Sequence, residues 1–328
     1  MQERTPPSKM YHLRQMEDQI IGRGSPFAEL LITAAALTVA FITSVNAQEY
    51  AAPTATATPP SSEAPVIDFF THWFDRVDAA RESQPHWVPP LVTLSPLITE
   101  LLKEDGYYQR LGNGADILNL GGGKGLFLVP TETNEFDIGL PTYEKRYHVQ
   151  PGSGLTDLQF LLIKQRLLSA PADQGNYIVT AALAGQAPTG SALFSNNAYV
   201  VSPSLLAGKG FGQFNVQAAT GFAVPTSHQN TLGTSWATNT TLQYNLEDVV
   251  WPEFEVNWTH WLDGTQRGGQ DQLFLTFGAI IGPLPLAGRL GLTVGAGYQF
   301  AVAPTQRLTP ALTPEYRHAF ILTTRLLF

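Results

Sequence analysis

The sequence predicts an all-β chain, a transmembrane antiparallel up-and-down β-barrel of about twelve strands behind an N-terminal signal peptide and a short periplasmic amphipathic helix. Three observations predict it. The C-terminal stretch alternates, with Tyr316, His318, Phe320, Leu322, Thr324, Leu326 and Phe328 on one face and Arg317, Ala319, Ile321, Thr323, Arg325 and Leu327 on the other. An apolar outer face bounded by aromatics, with arginines turned inward, is the pattern of a closing barrel strand. Period-two alternation recurs through most of the chain after Trp87, and a secretory signal stands near its start.

The signal is read over residues 1–47. Leu30 to Val45 is an apolar run preceded by Arg23 and followed by Val45-Asn46-Ala47, a small-x-small cleavage site before Gln48. The run is short for a spanning helix, which takes about 20 apolar residues. Residues 48–65 form a Pro/Ala/Thr tract with too little apolar bulk to offset ordering entropy, so a disordered periplasmic linker is expected. Residues 66–83 are expected to hold an amphipathic helix, because Val66, Phe69, Phe70, Trp73, Phe74 and Val77 recur at helical spacing. The barrel is assigned to residues 84–328.

Composition fits a barrel. Only 14% of the 328 residues are charged, and mean hydropathy is close to zero, because lipid-facing and lumen-facing side chains interleave. The 29 glycines and 24 prolines suit many turns. Cysteine is absent, which excludes a disulfide framework, a thiolate metal site and a cysteine nucleophile. A net charge of −8 without basic clusters argues against nucleic acid as a partner.

Strands are expected over residues 88–104, 122–129, 134–143, 154–168, 176–188, 198–208, 213–225, 235–246, 251–262, 270–282, 289–302 and 316–328. Alternation is cleanest late, where Leu290, Leu292, Val294, Ala296, Tyr298 and Phe300 oppose Gly291, Thr293, Gly295, Gly297 and Gln299. The linkers alternate long and short, as extracellular loops and periplasmic turns do, and an even count puts both barrel ends in the periplasm.

Inward positions supply the lumen-lining candidates Glu253, Glu255, Asn257, Gln299, Arg317 and Arg325; arginine facing lipid at the midplane would cost about 2–4 kcal/mol. The charges are read either as a solvated or paired lumen ladder or as a selectivity ring. Trp258, Trp261, Tyr298, Phe300, Tyr316, Phe320 and Phe328 are the aromatic-belt candidates. His72, His86 and His260, each followed by Trp or, for His260, flanked by Trp258 and Trp261, read as interfacial anchors rather than metal ligands.

No catalytic residue, metal site or cofactor is expected. Gly121-Gly-Gly-Lys-Gly125 is not a phosphate loop, since Gly125 stands where Ser or Thr is needed and a strand follows; its glycines read as a tight bend. His260, His318, Ser202, Ser204 and Ser235 form no evident nucleophile-base cluster on their strands, so a barrel hydrolase is the weaker alternative.

The strings Gln84-Pro-His-Trp-Val-Pro-Pro-Leu-Val-Thr-Leu-Ser-Pro-Leu97, Gly122-Gly-Lys-Gly-Leu-Phe-Leu-Val-Pro130 and Gly175-Asn-Tyr-Ile-Val-Thr-Ala181 belong together with Pro188-Thr-Gly190, Ala207-Gly-Lys-Gly-Phe-Gly212, Trp251-Pro-Glu-Phe-Glu-Val-Asn257 and Arg289-Leu-Gly-Leu-Thr-Val-Gly-Ala-Gly-Tyr-Gln299. With these motifs nearly all of residues 84–328 resembles the outer-membrane transporter-like family labelled "MetA-pathway of phenol degradation, putative". The resemblance implies a barrel that takes up small, apolar or aromatic compounds, and carries over no catalytic residues. The first strand departs from it, since Leu97-Ile-Thr-Glu-Leu-Leu-Lys-Glu alternates poorly.

The expectation is therefore a monomeric outer-membrane channel or transporter of a Gram-negative bacterium. Its partners would be the bilayer, the barrel-assembly machinery reading the C-terminal strand, and a small solute. A structural or adhesive barrel and a lipid hydrolase are the alternatives. The helix at 66–81 is expected either to plug the lumen mouth or to lie on the inner leaflet.

Overall fold

The computed structural model describes residues 64–121, 125–265, 267–303 and 316–328; the expected signal peptide and nearly all of the linker lie outside them. Two short helices, α1 (Ala64–Thr71) and α2 (Trp73–Glu82), stand where one helix was expected. Residues 84–100 follow without regular structure. The strands are β1 (Leu101–Arg110), β2 (Asp116–Leu120), β3 (Gly125–Thr131), β4 (Asn134–Gly139), β5 (Tyr143–Tyr147), β6 (Gly152–Leu155), β7 (Leu158–Ala170) and β8 (Tyr177–Ala187). They continue as β9 (Val200–Phe211), β10 (Phe214–Pro225), β11 (Ser235–Tyr244), β12 (Val250–Trp261), β13 (Asp271–Pro285), β14 (Gly291–Ala303) and β15 (His318–Leu327).

These strands build a closed barrel of twelve staves. β8 to β15 supply one stave each, pairing antiparallel in sequence order. The other side is made of broken staves. β1 faces β3 over Leu101–Lys103 and β2 over Gly106–Arg110, so β2 and β3 together act as one stave. β4 with β5, and β6 with β7, are broken the same way. The break beside β2 falls at Gly121, whose φ of +100° suits glycine. Of the glycine cluster expected to form a tight bend, residues 122–124 lie outside the described residues. β15 closes the ring on β1, from Leu101 opposite Leu327 to Arg110 opposite His318.

The first strand is corrected. Residues 88–100, expected to open the wall, lie inside the lumen, and the wall begins at Leu101. The physical reason is in the residues: Pro89, Pro90 and Pro96 lack the N–H that a central strand donates to its ladder. The long loops expected at 105–121 and 144–153 shrink accordingly, since β1 and β2 run into the first and β5 and β6 into the second.

The outer wall is apolar. Leu183, Leu205, Leu242 and Phe277 are each 43–53% exposed along mid-strand positions. Aromatics gather at both rims: Phe214 meets Tyr244 edge to face at 4.6 Å near the short turns, and Phe222, Trp236 and Trp258 cluster near the long loops, the last two 5.1 Å apart. In water such a belt would be an aggregation surface; in a bilayer it is the outer face of a spanning barrel. A closed barrel with this belt places the protein in an outer membrane. Short turns such as Glu132–Thr133 and Gly212–Gln213 mark the periplasmic rim, where both β1 and β15 have their free ends.

Candidate functional site: a lumen filled by the chain's own segment

Residues 84–100 enter from the periplasmic rim, bend at Leu91–Thr93 and return to β1. The side chain of Gln84 clasps the base of this excursion, donating to the Ile98 carbonyl at 2.8 Å and accepting the Ile98 N–H at 3.0 Å. An irregular backbone inside a barrel cannot satisfy its own polar groups, so the wall must. It does so with inward side chains from six staves. Glu253 accepts the Leu91 N–H at 2.9 Å, while Glu255 accepts the N–H of Val92 at 2.8 Å and of Thr93 at 2.7 Å, and the Thr93 hydroxyl at 2.6 Å. Arg325 donates to the carbonyls of Pro89 and Pro90. Gln217 donates to the Val88 carbonyl at 3.1 Å, Thr180 to that of Pro96 at 2.6 Å and Lys164 to that of Leu97 at 3.2 Å. Glu135 accepts the Thr99 N–H at 2.5 Å.

The apolar contacts are as specific. A Cβ on Gly278, Gly295 or Gly297 would meet the Leu91 side chain at 2.3, 3.0 or 2.6 Å, so these inward glycines form a hollow for it. A Cβ on Gly208 would meet the Trp87 ring at 2.5 Å. Leu91 packs with Val88, Trp251 and Ile280, all buried. The glycine face of β14 is thus small because something lies against it.

Below the segment, the helices cover the periplasmic rim. The Trp73 indole donates to both carboxylate oxygens of Glu100, at 2.7 and 2.9 Å. Arg166 reaches the Ala80 carbonyl at 2.8 Å and the Ser83 hydroxyl at 2.8 Å. Arg289, on the β13–β14 turn, pairs with Asp78 at 2.5 Å and lies over the Phe74 ring at 4.7 Å. That pairing holds the Asp78 carboxyl below its ordinary range, through the guanidinium hydrogen bond first.

Above the segment lies a chamber of about 540 Å³, and on its periplasmic side one of about 300 Å³. Pro89, Thr99, Leu101 and Arg325 border both. The upper chamber is lined by Phe127, Leu140 and Leu162 and by Asn119, Gln159, Gln186, Ser202 and Ser204. Tyr107 and the Lys103–Asp105 pair, 2.9 Å apart, complete one side.

The sequence-derived candidates divide. Glu253, Glu255 and Arg325 face inward but hold the segment and do not form an open charged ring. Glu253 and Glu255 do not border the chamber among the residues that line it. Asn257 and Gln299 are buried in a polar ladder on the wall, where Gln299 donates to Asn257 at 2.9 Å and to Thr276 at 2.8 Å. Arg317 is corrected: it is exposed, just ahead of β15, and joins the wall through its backbone, donating its N–H to the Arg110 carbonyl and accepting the Ala301 N–H. Two belt assignments are corrected. Trp261 is buried on the inward face under the Arg267 guanidinium, because it shares the parity of Glu253 and Glu255. Tyr316 is buried against Phe274 and bonds Gln299, because the chain leaves strand geometry before His318 and the alternation restarts there. Tyr298 and Phe320 face outward with ring centroids 5.0 Å apart, and Trp258, Phe300 and Phe328 are half-buried.

His260 lies on the outer face, bonded to Asp271 at 2.9 Å and stacked on Trp258, whereas Ser235 is buried on the inner face. His318 stacks on Tyr298. Among the described residues no group of three or more His, Asp or Glu is placed to hold a metal ion. Sequence reading missed Gln217, Thr180, Lys164 and Glu135, which alternation places inward but gives no reason to single out.

No family model matches the chain, and no curated protein does either. Among solved structures it is similar to an outer membrane channel from Pseudomonas putida F1, with 15% identity, a TM-score of 0.47, and coverage of 74% of this chain and 100% of that one. It is also similar to the NanC porin, with 9% identity, a TM-score of 0.45, and coverage of 69% and 98%. A third is the β domain of the Bordetella autotransporter BrkA, at 15% identity, a TM-score of 0.39, and coverage of 70% and 99%.

Proposed function

We propose that the protein is an outer-membrane channel for small solutes, kept closed on its periplasmic side by residues 84–100. The observation that carries the reading is the chamber of about 540 Å³ above a segment held by hydrogen bonds from the wall. A barrel of twelve staves is wider than the roughly eight-stranded kind that side chains fill, so something must fill or leave open its lumen. Here the fill is a segment of the chain itself, held by hydrogen bonds from the wall that water can replace when the segment leaves.

The solute class we favour is a small amphipathic molecule, such as an aromatic ring bearing a hydroxyl. Phe127, Leu140 and Leu162 give the chamber wall an apolar side, while the amides, hydroxyls and charged groups around them, Lys103, Asp105, Asp137, Glu144, Asp157 and Lys164 among these, offer hydrogen-bond partners to a hydroxyl. This agrees with what the resemblance to the phenol-degradation barrel family implies. The proposal assigns no catalytic chemistry to the chain.

Liposome swelling tests it. Proteoliposomes of Leu91→Ala, which loosens the segment, should admit hydroxyl-bearing solutes of about phenol size faster than disaccharides and faster than wild-type proteoliposomes do. Equal, protein-independent rates for every solute would leave a structural barrel, and release of fatty acid from the lipid would replace transport by hydrolysis.

A further inference from the structure

Most of the hydrogen bonds that the wall makes to the segment go to main-chain groups; the hydroxyls of Thr93 and Ser95 add one each, to Glu255 at 2.6 Å and to Gln217 at 2.9 Å. Glu253, Glu255 and Glu135 accept N–H groups, while Gln217, Arg325 and Lys164 donate to carbonyls. The match extends to the prolines. A proline offers a carbonyl and no N–H, and Pro89, Pro90 and Pro96 each have their carbonyl met by a wall donor. Leu91, the residue after the proline pair, is received by the hollow of Gly278, Gly295 and Gly297. Backbone-directed hydrogen bonds together with a side-chain pocket are the two components of peptide recognition.

We propose that the inner wall at the level of residues 87–99 is a peptide-binding surface, occupied by the chain's own segment as an intramolecular ligand. The ligand class is a short proline-containing peptide with leucine after a proline pair. The proposal rests on the channel reading, since an outside peptide reaches this surface only through the lumen. Tethering gives the resident segment an effective concentration in the millimolar range, so it holds the site until its own contacts weaken.

The test uses the full chain in detergent micelles, where binding needs no conduction. Two variants loosen the resident segment from opposite sides: Leu91→Asp, and the double change Glu253→Gln with Glu255→Gln. Since the chain has no cysteine, Ser95→Cys in each background supplies a single thiol whose maleimide labelling reports departure of the segment. A fluorescent peptide of the sequence Trp87 to Thr99 is then titrated by anisotropy. Leu91→Asp should bind it at least tenfold more tightly than a scrambled peptide, and adding Gly297→Leu should abolish that preference. A thiol that stays protected in both variants overturns the proposal, because the named contacts would then not hold the segment. So does a thiol that becomes accessible without any preference for the true peptide. If the peptide binds but proteoliposomes of the same variants admit no solute, the channel reading falls and the peptide surface stands.

Discussion

Glu255 receives Thr93 twice, at the backbone N–H (2.7 Å) and at the hydroxyl (2.6 Å), deep in the lumen. Its other oxygen takes the Val92 N–H at 2.8 Å. A carboxylate can accept from all three because it carries no hydrogen of its own. In Glu255→Gln one acceptor becomes an NH₂ group that confronts an N–H. Loss of a charge-assisted hydrogen bond costs about 1.5–3 kcal/mol, roughly a 10- to 100-fold shift toward the released segment. Planar-bilayer recordings of Glu255→Gln should show a higher open probability. Unchanged gating with altered cation preference would return this residue to the role of a selectivity charge.

The second prediction concerns Leu91 and Gly297. A methyl at Gly297 would stand 2.6 Å from the Leu91 side chain and 3.1 Å from the Phe277 carbonyl oxygen. Overpacking of this kind costs about 1–3 kcal/mol. Gly297→Ala should therefore raise resting conductance, and Leu91→Ala should do so by emptying the hollow. If the two residues share one contact, the double variant should open less than the two effects combined. Strict additivity would mean that they do not meet in the lumen.

The barrel was legible because its physics is periodic. From Tyr177 onward every expected strand overlaps an observed one, since each stave puts alternate side chains into lipid. The early staves are broken, and broken staves carry no long alternation; β2, at five residues, and β6, at four, could not be separated from loop. The lumen segment was hidden for a different reason. Residues 88–100 hold Val88, Leu91, Leu97 and Ile98, all buried, so their apolar content equals that of a strand. Its prolines and its poor alternation were the signals against a wall strand. Glu253 and Glu255 were readable as inward, but no spacing tells an inward carboxylate in water from one capping an irregular backbone.

At the periplasmic rim, Asp78 and Arg289 join α2 to the β13–β14 turn. The Asp78 carboxyl titrates below its ordinary value of 3.8, chiefly through the Arg289 hydrogen bond. A depressed carboxyl contributes stability that is complete above the unfolded value and lost as pH falls through the folded one. The contact should hold at neutral pH and weaken below about pH 4. Both side chains are partly exposed, 47% and 41%, so the pair is worth about 0.2–1 kcal/mol after solvent screening. Asp78→Asn should remove the acid-side loosening of α2, read by limited proteolysis at low pH, without altering the heat resistance of the barrel. A transition that persists in the variant would have to be assigned to another group.

Lys164 and Glu135 form an ion pair 2.5 Å apart and almost wholly buried, at 2% and 0% side-chain exposure, the most buried pair among the described residues. Glu135 also takes the Thr99 N–H, and Lys164 also donates to the Leu97 carbonyl, so one pair serves both the barrel and the segment inside it. The two roles separate by mutation. Lys164→Met strands a buried carboxylate and should cost about 3–5 kcal/mol, read as lowered urea resistance in micelles. Adding Glu135→Leu together with Asp137→Asn, the neighbouring buried carboxylate that Lys164 also offsets, removes the stranded charges and should restore that resistance, because a buried ion cluster replaced by neutral side chains is often neutral or better. It cannot restore the acceptor for Thr99 or the donor for Leu97. The triple variant should therefore be as stable as the wild type while its lumen segment labels faster, and a stable triple variant with a fully protected segment would show that this cluster serves the wall alone.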